Sequence, residues 1–271
     1  MTRNCPESDI MPFTVSSFFS SRFELLPGLT AYHHRQQSPA TAVLTLIDTG
    51  VIEEKLENRE GKEHLLQLLS PEEKKLFATY SYPKRQKEWL AGRFACKYAV
   101  LLLLYETFSH QQFPTFSVLP GERGSPELFF PENPLKKPSV SISHSGKYAA
   151  AMAGFAASCG LDIQKVTAKI MNVVSRFAAP EEIKLLETGT SNMDEQERLT
   201  LLWSAKEAIK KSLLHDQPVI FKGVTLQRLS TEKVTSLWLS SSLDEPKTAE
   251  VTAFLLGDYA LAFTTSGVNH A

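Results

Sequence analysis

Residues 139–166 read SVSISHSGKYAAAMAGFAASCGLDIQKV, and this stretch decides the fold class. Ser139 to His144 and Tyr148 to Phe155 are short runs of apolar, small and hydroxyl residues, split by the turn sequence Ser145-Gly146-Lys147. They read as the two strands of a hairpin. Cys159-Gly160-Leu161-Asp162-Ile163-Gln164 reads as a third strand. Side chains alternate along a strand, so Leu161 and Ile163 face one way while Asp162 and Gln164 face the other. Strands that follow one another without helices between them point to antiparallel pairing.

The same texture continues outward. PVIFKGVTLQRL (218–229), VTSLWLS (234–240) and VTAFLLGDYALAFTT (251–265) alternate in strand fashion. Between them and the opening stretch lie two helices, one starting at Ala179-Pro180-Glu181-Glu182 and one covering Glu195 to Leu213. Upstream, Ala42 to Ile47 (AVLTLI) is a strand. Ser70-Pro71-Glu72-Glu73 orders a capping hydroxyl, a first-turn proline and acids as a helix start requires. A further helix spans Lys84 to Phe108, with Leu90, Phe94, Leu101 and Tyr105 at helical intervals and Tyr98 filling the gap. The proline-rich stretch from Phe108 to Pro138 then divides the chain into halves at 1–138 and 139–271. The expected class is α+β with mostly antiparallel sheets, and no clear internal repeat is visible.

Composition narrows the function. The chain has 271 residues, enough to bury a sizeable core, with 29 basic and 30 acidic residues and a formal charge of −1. That balance argues against a dedicated nucleic-acid binder. Three widely spaced cysteines, Cys5, Cys96 and Cys159, match neither a metal-ligand spacing nor a disulfide framework. No segment approaches the ~20 apolar residues of a membrane span. The start, MTRNCPESDIMPF, lacks the pattern of a secretory signal. A cytoplasmic protein with no membrane or nucleic-acid partner is the expectation.

Four features carry candidate chemistry. On the helix Trp203-Ser204-Ala205-Lys206-Glu207-Ala208-Ile209-Lys210-Lys211, Glu207 and Lys211 lie one turn apart, as a solvated ion pair or as the lip of a site. Lys206 falls within the apolar stripe Leu199, Leu202, Ile209 and Leu213, where a lysine either snorkels out or meets an anion. Asp162 and Gln164 are the polar side of a half-exposed strand or a hard oxygen donor set, and Asp162 with Glu207 could hold Mg²⁺. Ser143 and His144, within Ser141-Ile142-Ser143-His144-Ser145, are structural or bind phosphate. Lys84 and Arg85 begin a helix, where cations oppose the helix dipole and an anionic ligand would resolve the conflict.

In order, WLAGRFACKYAV, SISHSGKYAAAMAG, CGLDIQKV and LLWSAKEAIKK resemble the Sfp-type 4′-phosphopantetheinyl transferases, as does SRFAAPEEIKLLE between the last two. The resemblance runs from about Leu69 to Lys211 and implies a pseudo-dimer of two similar α+β halves with the site at their interface. It implies transfer of the phosphopantetheine arm of coenzyme A to a serine of an apo acyl carrier protein or peptidyl carrier domain, leaving adenosine 3′,5′-bisphosphate. Asp162 and Glu207 become Mg²⁺ ligands, Glu207 also the general base, and Lys211 the stabiliser of the leaving phosphate. Ser143, His144 and Lys206 become coenzyme A phosphate contacts, with Lys84 and Arg85 candidates for the 3′-phosphate. A monomer is implied, since one chain supplies both halves.

Two positions depart from the family pattern. Many members carry an acid where Gln164 stands, so Gln164 ligates weakly or through water and metal binding is weaker. Ser125 holds the slot of a basic residue in a glycine turn, with Arg123 nearby. These departures motivate the alternative, a catalytically impaired module of the same fold that binds coenzyme A or a carrier. A Mg²⁺-dependent nucleotide hydrolase or kinase is more distant, because no Walker-type glycine loop is present.

Overall fold

The alternating and capping patterns set the elements of the computed structural model, which describes residues 14–19, 21–36, 41–105, 107–132, 136–214, 223–231, 235–241 and 248–266. A helical turn α1 (Val15–Phe18) leads into strands β1 (Ser21–Leu26), β2 (Leu29–Gln36) and β3 (Ala42–Asp48). Helices α2 (Thr49–Leu56), α3 (Arg59–Gln67), α4 (Pro71–Phe77) and α5 (Pro83–Leu104) follow. After the small hairpin β4 (Ser117–Pro120) and β5 (Pro126–Phe129) come β6 (Ser139–Ser145), β7 (Tyr148–Gly154) and β8 (Ser158–Lys165). Helices α6 (Val174–Phe177), α7 (Pro180–Gly189) and α8 (Glu195–Leu213) precede β9 (Val224–Thr231), β10 (Thr235–Ser241), β11 (Thr248–Leu256) and β12 (Tyr259–Ser266).

Two five-stranded sheets, ordered β1-β2-β3-β7-β6 and β8-β12-β11-β10-β9, are antiparallel at every pairing. The α+β class with mostly antiparallel sheets is therefore observed. One expectation changes: β6 and β7 lie beyond Pro138, yet β7 pairs with β3. Sheet membership changes between Gly154 and Ser158 rather than at 138/139. The helix expected over Lys84–Phe108 runs from Pro83 to Leu104. Residues 218–222, the start of one expected strand, lie outside the described residues, as does Cys5.

The halves repeat one unit: a strand, a long helix, then a hairpin whose second strand pairs with the first strand. In one half this is β3, α5 and β6–β7; in the other it is β8, α8 and β11–β12. The repeat extends to buried charges. In the capping box of α4, Glu73 Oε2 accepts from Ser70 N and lies 2.7 Å from Lys97 Nζ, while Oε1 accepts from Val118 N. At the start of α7, Glu182 Oε2 accepts from Ala179 N, Oε1 lies 2.8 Å from Lys206 Nζ and also accepts from Leu226 N. Ser70, Pro71, Glu73 and Lys97 are separated from Ala179, Pro180, Glu182 and Lys206 by the same number of residues. Paired and hydrogen-bonded in this way, the ions avoid the cost of burying a lone charge.

Sheet packs on sheet through Leu44, Leu46 and Met152 on one side and Leu161, Ile163, Phe254 and Leu261 on the other. The opening residues of the two equivalent hairpin strands, Tyr148 and Tyr259, meet edge to face with ring centroids 5.0 Å apart. Helices α5 and α8 cover the outer faces, each with its own core. Cys96 and Cys159 are free and buried, and burial pushes both thiols up to about 12, so neither is a reactive thiolate. Among the described residues no helix is long and apolar enough to cross a membrane.

Candidate active site

Edge strands β6 and β8, one from each sheet, come together beside α8 and the first turn of α5. Gly160 permits the closest of these approaches. A Cβ there would lie 1.9 Å from the Ala208 carbonyl oxygen, so α8 rests directly on the β8 backbone. Asp162 shares that strand face, and Glu207 and Lys211 flank Ala208 on the helix. The capping box of α8, in which Asp194 accepts from Glu197 N while Glu197 accepts from Asp194 N, fixes where the helix begins.

Asp162 is 5% exposed. Its Oδ1 accepts from Lys211 Nζ at 2.7 Å and from Ser143 Oγ at 2.8 Å. Lys211 Nζ also donates to the Leu161 carbonyl at 3.0 Å. Oδ2 is buried and has no hydrogen-bond partner among the described residues. Burial, then the nearby charge of Asp162, holds the Glu207 carboxyl above its ordinary range, against the opposing pull of Lys211 and Lys210. A buried Asp162 with an unsatisfied oxygen, beside a half-buried Glu207 whose proton affinity its charge helps to raise, fits a divalent cation. A set of two acids also suits Mg²⁺, which takes few protein ligands and keeps positions for water and phosphate. Gln164, half-buried and two residues along the same strand face, adds an uncharged oxygen.

His144 points to the opposite face of β6. It is partly exposed, with Nδ1 3.9 Å from Glu88 Oε1 on α5. Burial lowers its proton affinity most; Glu88 opposes this, and Arg85, Lys211 and Lys84 add to it. Its unliganded imidazole is thus mainly neutral at pH 7. Lys84 and Arg85 stand exposed on the first turn of α5, Lys84 3.9 Å from Glu88 and Arg85 over the ring of Tyr80. The dipole conflict at this helix start is partly relieved without a ligand, since Lys87 Nζ donates to Glu53 at 2.7 Å. Lys84, Arg85 and Lys211 are thus all near enough to His144 for their charges to act on its ring.

Lys206 corrects an expectation. It is 1% exposed, sealed between Glu182 and the Phe177 carbonyl, and burial lowers its proton affinity. It anchors α8 to α7 and is not a phosphate contact. Ser143 also differs, for its hydroxyl is spent on Asp162. Glu88, Ser141 and Ser145 were not singled out as site residues. Glu88 is one helical turn from Lys84, and the two serines alternate with Ser143, signals that were present in the sequence.

The equivalent interface in the other half lacks this chemistry. By strand register and by the Lys97–Lys206 equivalence, Thr45, Tyr98 and Leu102 stand where Asp162, Glu207 and Lys211 do. There the edge of β3 is covered by β2, and His33 Nδ1 lies 2.7 Å from Tyr98 Oη. One of the two interfaces thus carries two acids and a lysine, and the other is filled by β2 and by uncharged side chains.

Residues 158–264 match the family model of the 4′-phosphopantetheinyl transferase superfamily. A holo-[acyl-carrier-protein] synthase of Streptococcus agalactiae serotype III is 39% identical over 84 residues, which are 31% of this chain and 70% of that protein. The serotype V synthase matches to the same extent. Among solved structures, the 2.31 Å crystal structure of a holo-(acyl-carrier-protein) synthase from Bacillus anthracis str. Ames in complex with CoA (3′,5′-ADP) aligns with a TM-score of 0.37 at 24% identity. That alignment covers 42% of this chain and 92% of the other.

Proposed function

Because the chain belongs to the 4′-phosphopantetheinyl transferase superfamily, we propose that it transfers the 4′-phosphopantetheine group of coenzyme A to a serine of an apo carrier protein. The acceptor is an acyl carrier protein or a peptidyl carrier domain, and the second product is adenosine 3′,5′-bisphosphate. The observation that carries this reading is the buried Asp162, with Lys211 and Ser143 on one oxygen and no hydrogen-bond partner among the described residues on the other, beside a Glu207 of raised proton affinity.

The reaction forms a bond between the carrier serine oxygen and the phosphorus on the pantetheine side of the pyrophosphate. It breaks the bond from that phosphorus to the bridging oxygen, which leaves with adenosine 3′,5′-bisphosphate. Glu207 takes the serine proton; its raised proton affinity suits a base working near neutral pH. Lys211, held by the Leu161 carbonyl and Asp162, presents a fixed cation for the charge that develops on the leaving phosphate. His144 donates a ring N–H to coenzyme A phosphates, and Lys84 and Arg85 meet the 3′-phosphate from an exposed helix start. Asp162 and Glu207 would hold Mg²⁺, with Gln164 assisting weakly or through water. When bound, the ion neutralises charge on the pyrophosphate oxygens.

One chain provides both edge strands of the site, so the working unit is a monomer, and the compartment is the cytoplasm. Gln164 in place of an acid favours a second reading, a module that binds coenzyme A or a carrier without transfer. Intact mass of an apo carrier incubated with coenzyme A and Mg²⁺ separates the two. Addition of a phosphopantetheine that stops on chelation supports transfer, while coenzyme A binding without mass gain supports the module.

A further inference from the structure

Strand β6 carries serines at 141, 143 and 145, and all three hydroxyls reach β8. Ser141 Oγ accepts from Leu161 N at 3.0 Å, and Ser145 Oγ accepts from Lys165 N at 3.0 Å. Between them Ser143 Oγ donates to Asp162 Oδ1 at 2.8 Å. The intervening residues point elsewhere: Ile142 presses on Gly92 of α5, where an added Cβ would stand 2.9 Å from its Cγ2, and His144 turns to Glu88. Among the described strands β8 is the edge of its sheet, so its outward N–H groups have no strand partner there. Leu161 is fully buried, and an unpaired N–H there would be costly. Two hydroxyls spaced by two strand periods satisfy two such groups, at Leu161 and Lys165, and so set the register of one half against the other.

We propose that Ser141, Ser143 and Ser145 form a ladder of positioning residues for the transfer reaction, an inference that rests on the reading above. The outer two seat β8 against β6. The central one, with Lys211, commits Asp162 Oδ1 and leaves Oδ2 for the cation. None of the three needs to touch coenzyme A for this role. The carboxylate's orientation depends on both halves being in register, which confines the acidic site to the correctly docked chain.

The test uses the full chain with Ser141→Ala, Ser145→Ala, Ser143→Ala and Ser143→Thr. Amide hydrogen exchange is expected to speed at Leu161 in Ser141→Ala and at Lys165 in Ser145→Ala, each by about 3- to 10-fold, the worth of one hydrogen bond. Ser143→Ala is expected to leave both amides protected. It should raise the Mg²⁺ concentration for half-maximal transfer by about 3- to 10-fold with little change in KM for coenzyme A, and Ser143→Thr should restore it. Calorimetric titration with Mg²⁺ alone should show the same weakening. Unchanged exchange in the outer variants, or a Ser143→Ala effect confined to KM for coenzyme A, would overturn the ladder. If wild-type chain modifies no carrier, the transferase reading fails, while exchange and Mg²⁺ titration still decide whether the serines hold the strand and the carboxylate.

Discussion

Replacing Gly160 by alanine separates the contribution of backbone approach from that of the catalytic side chains. The added Cβ would stand 1.9 Å from the Ala208 oxygen, 2.9 Å from its carbonyl carbon and 3.0 Å from Ser212 Cβ. The nearest of these atoms is backbone, so no rotamer change relieves the clash. Ordinary non-bonded contact begins near ~3.5 Å, so α8 must retreat from β8 by about 1.5 Å. That displacement carries Glu207 and Lys211 away from Asp162, which cannot follow because Ser143 and its own strand hold it. Misplacement of about 1 Å costs on the order of 100-fold in rate, and overpacking costs about 1–3 kcal/mol in stability. Gly160→Ala should therefore fold, melt a few degrees lower and lose about 100-fold in kcat/KM for carrier modification. Thermal melting and intact-mass kinetics on the same preparation measure both. A variant of unchanged melting temperature and kcat/KM within about threefold of wild type would refute the claim that helix contact places Glu207 and Lys211.

The remaining expectations follow from individual charges. Lys206→Met should cost about 3–5 kcal/mol by leaving Glu182 buried without its cation, with kcat/KM of the folded fraction close to wild type; loss of coenzyme A affinity without loss of stability would return Lys206 to the site. Glu207 binds its proton more tightly folded than unfolded, so its contribution to stability is complete below the ordinary carboxylate value and is lost as pH rises through the folded value. Metal-free Glu207→Gln should therefore melt higher than wild type at pH 7, with the gap closing at acid pH, while transfer falls by about 100-fold or more; equal melting across the pH range contradicts this. The His144 ring should titrate below 6.5 in the free chain and move up when adenosine 3′,5′-bisphosphate binds, as followed by NMR; an unmoved titration would remove His144 from the phosphate site. Gln164→Glu should lower the Mg²⁺ concentration needed for half-maximal transfer, and no change would place Gln164 outside the ion's reach.

Local chemistry made much of this legible. Helix α8 spans Glu195–Leu213 as its capping acids and apolar spacing indicate, and Asp162 lies on the strand face that alternation assigns, although α8 buries that face where a half-exposed polar side is one reading of the sequence. What escaped was the part set by distant partners. A lysine on an apolar stripe has two fates, and the one Lys206 takes depends on Glu182, an acid in the capping turn of another helix. The proline-rich stretch marks a change of texture, but the hairpin beyond it pairs back to β3, a long-range contact that composition does not register. The internal repeat escaped for a related reason, since it rests on a few charged and capping positions and on strand order rather than on similar segments. Ser143 has the residue type of a phosphate contact, and only the approach of β8 turns its hydroxyl to Asp162.

The central claim is transfer at the Asp162–Glu207 site, and the most direct measurement is intact mass of several apo carrier proteins after incubation with coenzyme A and Mg²⁺. The expected result is a gain of one phosphopantetheine on at least one carrier, abolished by a chelator and by Glu207→Ala. No gain on any carrier by folded chain that still binds coenzyme A, or a gain that survives both chelation and Glu207→Ala, would contradict it.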